Sequence, residues 1–179
     1  DIEIILVGDE SVIARKLDAK RYSTQRTSIK HALQVVMMDD SPCLAIRKKK
    51  DSSIRRGIEL VKTGDADGFV SAGHSGIVMA TALMILGTSE VVDRPAIATI
   101  MPTLNEPFVL IDAGANIHCK PHNLLQFALM GTIYCRTILG RVNPKVVLIS
   151  TGEEDTKGNE LTKETFKLLK EADINFIGN

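Results

Sequence analysis

The stretch "DGFVSAGHSGIVMATALMILG", Asp67 to Gly87, decides the fold. Its apolar start, "GFVSA", has the residue types of a strand. The run "IVMATALMILG" is long enough for a helix. A strand that turns at once into a helix is the building unit of a sheet covered by helices. Between the two lie Ser71, Gly73, Ser75 and Gly76, with a lone histidine, His74. Two readings of this corner stay open. Small residues make a tight turn. They also let an anion approach the free N–H groups at a helix start. His74 has the same ambiguity: a solvated residue of the first helical turn, or a neutral imidazole donating one hydrogen bond to an anion or an acyl oxygen.

Working outward, strand and helix patterns keep alternating. "IEIILVG" reads as a buried strand and "ESVIARKL" as a helix, with "TSIKHA" and "QVVMM" as weaker extended segments. "DSPCLAIRKK" predicts a helix capped by Asp40 or Ser41 with Pro42 in its first position. "DSSIRRGIELVKTG" predicts another, opening on capping residues and stopped by Gly64. Beyond Gly87 come strands "PAIATIM" and "FVLIDAG", then a long helix from Pro121 to Gly140. Strand "KVVLIS", helix "NELTKETFKLLKEA" and strand "INFIG" follow. The predicted class is α/β, a mostly parallel sheet covered by helices, in a single domain over residues 1–179. The chain starts in mid-strand and stops on a strand running into a turn, so the domain is expected to be incomplete at both ends.

In such folds ligands bind beyond the carboxyl ends of strands. Three loops there are rich in Gly, Ser, Thr, Asp or Asn: "SAGHSG", "DAGANIHCK" and "STGEEDTKGN". Together they would line a phosphate-friendly crevice. Neither G-x-G-x-x-G nor Walker A is present, and no G-x-S-x-G elbow supplies a nucleophile. Lys+Arg and Asp+Glu stand at 22 each, so nothing global argues for nucleic acid, and anion binding has to be local. Cys43, Cys119 and Cys135 are odd in number and scattered, which fits a reducing compartment rather than a disulfide framework. No apolar run reaches membrane-spanning length.

Single residues carry paired readings. "IRKKKDSSIRR" holds Arg47, Lys48, Lys49, Lys50, Arg55 and Arg56: a solvated charged face, or a basic rim for an anionic ligand or acidic partner. Ser52 and Ser53 can cap a helix and nothing more. Asp112 is a general base, a metal ligand or, most commonly in such loops, a turn carboxylate, and Asn116 is a turn residue. His118, Cys119 and His122 lack a second ligand pair for structural zinc, and no metal is expected. Glu153, Glu154 and Asp155 form an acidic cluster that suits a divalent cation or a solvated loop. Lys157 beside them can neutralise charge on a phosphate. His31 reads as structural.

The motifs "KKDSS", "SAGHSG", "DAGAN…CKP" and "GEEDTKGNE", in this order, together resemble the bacterial phosphate acyltransferases of the PlsX type, over nearly the whole chain. The resemblance implies a three-layer α/β/α fold like that of isocitrate and isopropylmalate dehydrogenases. It implies that acyl-[acyl carrier protein] and inorganic phosphate give acyl phosphate and free carrier protein, for phospholipid synthesis, with no cofactor. A cytoplasmic homodimer with peripheral membrane contact is implied too. Phosphate is then itself the nucleophile. For that chemistry His74, Asp112, Asn116 and Lys157 are expected to be the catalytic residues. Ser71, Gly73, Ser75, Gly76, Lys49, Lys50, Ser52, Ser53, Arg55, Gly114 and Lys120 are expected to bind phosphate or substrate. This chain departs at His74-Ser75, where the family usually has Asn-Thr, and it lacks the family's opening Asp-Ala-Met-Gly-Gly-Asp loop and its second half. Two other classes stay open: a non-catalytic phosphate- or carrier-protein-binding relative, and a nicotinamide-dependent dehydrogenase of the same fold.

Overall fold

A computed structural model describes residues 2–20, 22, 25–152, 154 and 157–179. The fold is mixed α/β, and the chain packs into two compact units, residues 1–88 and 89–179.

The first unit begins with strand β1 (Ile4–Gly8), helix α1 (Glu10–Lys20) and strand β2 (Thr27–His31). β1 and β2 pair in parallel, Ile4 opposite Thr27 through Gly8 opposite His31. The intervening helix provides the crossover that parallel pairing requires. Helices α2 (Pro42–Lys48), α3 (Ser53–Thr63) and α4 (Ser75–Leu86) follow. α3 has a well-defined apolar stripe in which Ile54 and Ile58, one turn apart, are buried. Ser52 caps its start by accepting from the Arg55 N–H, and Gly64 ends it in the left-handed region at φ 80°. α4 is apolar all round and buries Ile77 and Thr81. Ala45, Ile54, Ile58 and Ile77 form the core of this unit, with Phe69 packed against it. Gly57 makes room for that ring: a Cβ there would run into Phe69.

The second unit contains strands β3 (Thr99–Met101) and β4 (Phe108–Leu110), then helices α5 (Pro121–Leu139) and α6 (Glu160–Glu171). Pro121 occupies the first turn of α5, and Gly140 ends it at φ 66°. Asn159 caps α6 by accepting from the Thr162 N–H at 2.9 Å. Phe127, Phe166 and Leu169 are buried, and Phe166 meets Phe176 edge to face with centroids 5.2 Å apart.

The predicted helices form where the caps place them, but several predicted strands are shorter or absent. "GFVSA" joins no ladder, and Val70 is 97% exposed. "QVVMM" contributes one parallel bridge, Gln34 to Ser52. "KVVLIS" and "INFIG" meet at a single parallel bridge, Val146 to Phe176. β3 and β4 pair antiparallel, against the expected parallel order. The connection from Pro102 to Pro107 is too short for a parallel crossover.

Candidate functional site

In the first unit, the 71–76 corner is a turn closed by its own side chains. The Ser71 hydroxyl accepts from the Gly73 N–H at 3.1 Å. A Cβ on Gly73 would lie 3.3 Å from that hydroxyl and 3.7 Å from Ile54 Cδ1. His74 is the N-cap of α4 rather than a first-turn residue, and its Nδ1 accepts from the Ile77 N–H at 3.4 Å. With Nδ1 accepting, Nε2–H is the ring's donor. Gly76 lets the ring lie close: a Cβ there would stand 3.2 Å from its Cε1. Ser71 and Ser75 are exposed at this helix start, where free N–H groups and the helix dipole favour negative charge.

The basic run divides into committed and uncommitted cations. Lys49 donates to the Val35 carbonyl at 2.8 Å and pairs with Asp40. That hydrogen bond, with one from the Met37 N–H, holds the Asp40 carboxyl below the usual range. Arg55 is paired with Glu59 at 2.8 Å, and Arg56 with Asp51 at 2.7 Å. Asp51 also accepts from the Leu33 N–H, the main cause of its lowered carboxyl pKa. Ser52 is buried as the α3 cap, and the Ser53 N–H donates to the Gln34 carbonyl. Asp51 and Ser53 fasten loop 33–40 to the start of α3, and Lys49 fastens it to the end of α2. Arg47, Lys50 and Arg55 line an open groove with Ile46, Met84 and Ile85. Arg47 was not singled out by the sequence, because nothing in a run of six cations tells which of them faces a groove.

In the second unit, Asp112 organises the loop after β4. One carboxylate oxygen accepts from the Ile97 and Ala115 N–H groups at 2.9 and 3.1 Å. The other accepts from the Asn116 N–H and side chain at 2.7 and 3.0 Å. Burial pushes this carboxyl up, but hydrogen bonds from Ile97, Asn116 and Ala115 outweigh it and hold the pKa below the usual carboxylate range. Asn116 also donates to the Pro95 carbonyl at 2.9 Å. Both residues thus act as a turn framework. Gly114 sits between them at φ 107°, in the region that favours glycine. Burial, and then the Asp112 charge, push the Cys119 thiol up, so it is protonated at neutral pH. Lys120 is exposed at the N-cap of α5, and its N–H donates to the Asn123 side chain at 2.9 Å. Arg94 donates to the His118 carbonyl. Buried Gln126, which no local pattern distinguishes, ties down the 91–93 segment through Val91 and Asp93.

In the loop preceding α6, Lys157 is exposed, and its N–H donates to the Glu154 carbonyl at 2.9 Å. Its stem lies over Gly152, where a Cβ would come within 2.9 Å. Gly158 is at φ 99°, and a Cβ on it would run into Thr162 and Ser150. Glu153 and Asp155 lie outside the described residues. Among the described residues no His, Cys, Asp or Glu cluster is placed to hold a metal, and no helix is long and apolar enough to cross a membrane.

This unit also contains a half-open cavity of about 650 Å³. It is bounded by β4, the Asp112 loop, α5, residues 144–149 and α6, so its lining is drawn from well-separated parts of the sequence.

The chain is 49% identical to a phosphate acyltransferase of Clostridium tetani over 179 residues, all of this chain and 54% of that one. It is 50% identical to a phosphate acyltransferase of Thermodesulfovibrio yellowstonii, covering all of this chain and 52% of that one. The chain thus spans about half the length of the curated relatives it matches. Among solved structures, EutD phosphotransacetylase from Staphylococcus aureus superposes with a TM-score of 0.68 at 20% identity, over 98% of this chain and 59% of that one. That likeness is one of fold. A family model described as fatty acid synthesis protein matches residues 1–179, and the chain belongs to that family.

Proposed function

We propose that the whole protein is a phosphate acyltransferase, which transfers an acyl group from acyl-[acyl carrier protein] to inorganic phosphate. The observation that carries this reading is identity near 50%, over every residue of the chain, to proteins named phosphate acyltransferase. A phosphate oxygen attacks the thioester carbonyl, a tetrahedral oxyanion forms, and the C–S bond breaks to give acyl phosphate and the carrier thiol. No side-chain nucleophile is required, which agrees with Cys119 being held as the thiol. The protein's task is to hold phosphate against the carbonyl and to stabilise the oxyanion.

In this reading the 71–76 corner holds phosphate or the acyl oxygen through backbone N–H groups, Ser71, Ser75 and the His74 Nε2–H. Gly73 and Gly76 keep the approach open. Lys157 offsets phosphate charge. Asp112 and Asn116 hold the loop that carries Gly114, and Lys120 adds a cation at the start of α5. Lys50 and Arg47 meet the acidic carrier protein, while Lys49, Ser52, Ser53 and Arg55 hold that surface in shape. The same reading carries a three-layer α/β/α domain of the isocitrate dehydrogenase type, a homodimer, and a cytoplasmic location with peripheral membrane contact.

The test is to incubate the intact protein with acyl-[acyl carrier protein], with and without phosphate, and trap acyl phosphate with hydroxylamine. Phosphate-dependent hydroxamate with stoichiometric thiol release is the expected result. Absence of product across several chain lengths would refute the enzyme reading and leave carrier-protein binding. Gly73→Val, which crowds Ser71 and Ile54, is expected to abolish turnover.

A further inference from the structure

We propose that Gln34 and Asp51 are positioning residues for Lys50, fixing the backbone from which its ammonium meets the carrier protein, a proposal that rests on the acyl-transfer reading. The two residues, 17 apart in sequence, exchange hydrogen bonds in both directions. The Gln34 N–H donates to the Asp51 carbonyl at 3.0 Å, and the Asp51 N–H donates to the Gln34 Oε1 at 2.9 Å. The Gln34 carbonyl also accepts from the Ser53 N–H at 3.3 Å. The Asp51 carboxylate accepts from the Leu33 N–H at 3.0 Å and from Arg56 at 2.7 Å. Gln34 thus directs its N–H, its carbonyl and its side chain to residues 51–53, and every partner in this clasp lies within the first unit.

Lys50 lies between two fixed neighbours. On one side the Lys49 N–H donates to the Ala45 carbonyl at 2.8 Å, and the Lys49 ammonium is bound to Val35 and Asp40. On the other side stands the clasped Asp51. Lys50 itself is exposed, makes no ion pair among the described residues, and borders the groove shared with Arg47 and Arg55. A lysine on a mobile turn loses both backbone and side-chain freedom when it binds, whereas on a held backbone only the side chain is ordered. Arg56 also neutralises the carboxylate next in sequence to Lys50, which preserves the attraction for an acidic partner.

The test uses the intact protein and reads KM for acyl-[acyl carrier protein] and, by calorimetry, Kd for the carrier protein. Gln34→Met keeps the length of the side chain and removes the acceptor for the Asp51 N–H. It is expected to raise KM and Kd about fivefold, with kcat and the KM for phosphate held within about twofold. Lys50→Ala should raise them as well. In the double variant Gln34→Met should add less than about twofold, because the residue it positions is gone. The Gln34→Met effect should also shrink at high salt, which a loss of packing alone would not do. Equal effects of Gln34→Met with and without Lys50, or KM and Kd unchanged, would overturn the proposal and leave the acyl-transfer reading intact. Carrier binding that follows the cycle without any turnover would support the proposal and overturn that reading. A carrier protein that is neither bound nor turned over would overturn both. If Gln34→Met does not fold, Asp51→Asn, which weakens the Leu33 and Arg56 bonds, takes its place in the same cycle.

Discussion

Replacing Asp112 by Asn tests whether this residue frames its loop or does chemistry. The carboxylate accepts four hydrogen bonds, two on each oxygen. An amide keeps one acceptor oxygen and turns an NH2 group toward the other two donors. Whichever way it flips, two bonds are lost and donors face donors. Hydrogen bonds to a charged group contribute about 1.5–3 kcal/mol each. Asp112 is half-buried, so water replaces part of this, and the expected loss is about 2–3 kcal/mol for the pair.

The pH dependence adds a second readout. The folded-state pKa of Asp112 lies below its unfolded value. Its stabilisation is therefore fully present above the unfolded pKa of about 3.9 and is lost as pH falls through the folded value. Urea unfolding of the intact wild-type and Asp112→Asn proteins should differ by about 2–3 kcal/mol at pH 7, and the two should converge below about pH 4. A variant as stable as wild type at pH 7, or a gap that persists unchanged into acid, would refute the framework role. Loss of turnover with stability unchanged would make Asp112 a participant in the chemistry.

Three other perturbations probe the first unit. Gly57→Ala drives a methyl into the Phe69 ring and should cost about 1–3 kcal/mol in urea unfolding; in a double variant with Phe69→Ala the two losses should be less than additive. His74→Ala removes the α4 cap and should cost about 1 kcal/mol together with turnover, whereas His74→Asn, which retains a capping acceptor, should keep stability within about 0.5 kcal/mol and preserve turnover. Lys50→Glu should weaken carrier-protein affinity, measured by calorimetry, by roughly tenfold at low salt and much less at high salt, while Lys49→Glu should act mainly on stability because its ammonium is bound to Asp40 and Val35.

Helices were the most legible part of the fold because their limits are written locally. Ser52, Gly64, Pro121, Gly140 and Asn159 sit at helix ends for reasons that involve only their own turns. Strands were less legible because a ladder needs a partner that the strand's own residues do not specify. "GFVSA" has strand composition, yet Val70 lies open to solvent without a ladder. The antiparallel β3–β4 pair could have been read from the short Pro102–Pro107 connection. At the site, the turn reading of Asp112 and the capping reading of Ser52 were available from residue type alone. The Lys49–Asp40 pair was not, since the return of loop 33–40 over the end of α2 decides it. Nor was the cavity, whose wall combines segments from Phe108 to Leu169.

Internal pairing separates structure from recognition in both units. Of the six cations in residues 47–56, Lys49, Arg55 and Arg56 face Asp40, Glu59 and Asp51, and each neutralises a carboxylate at short range. Such half-exposed pairs contribute little to stability one by one, but they remove those charges from the field seen by an approaching anion. Arg47, Lys48 and Lys50 make no ion pair among the described residues, so they set the sign of that surface on a chain whose formal net charge is zero. The same logic applies in the second unit, where Asp112, Asn116, Thr132 and Arg141 turn their polar groups to the protein and leave an aliphatic space. Neither feature is visible in composition, because both depend on which polar groups have already found partners.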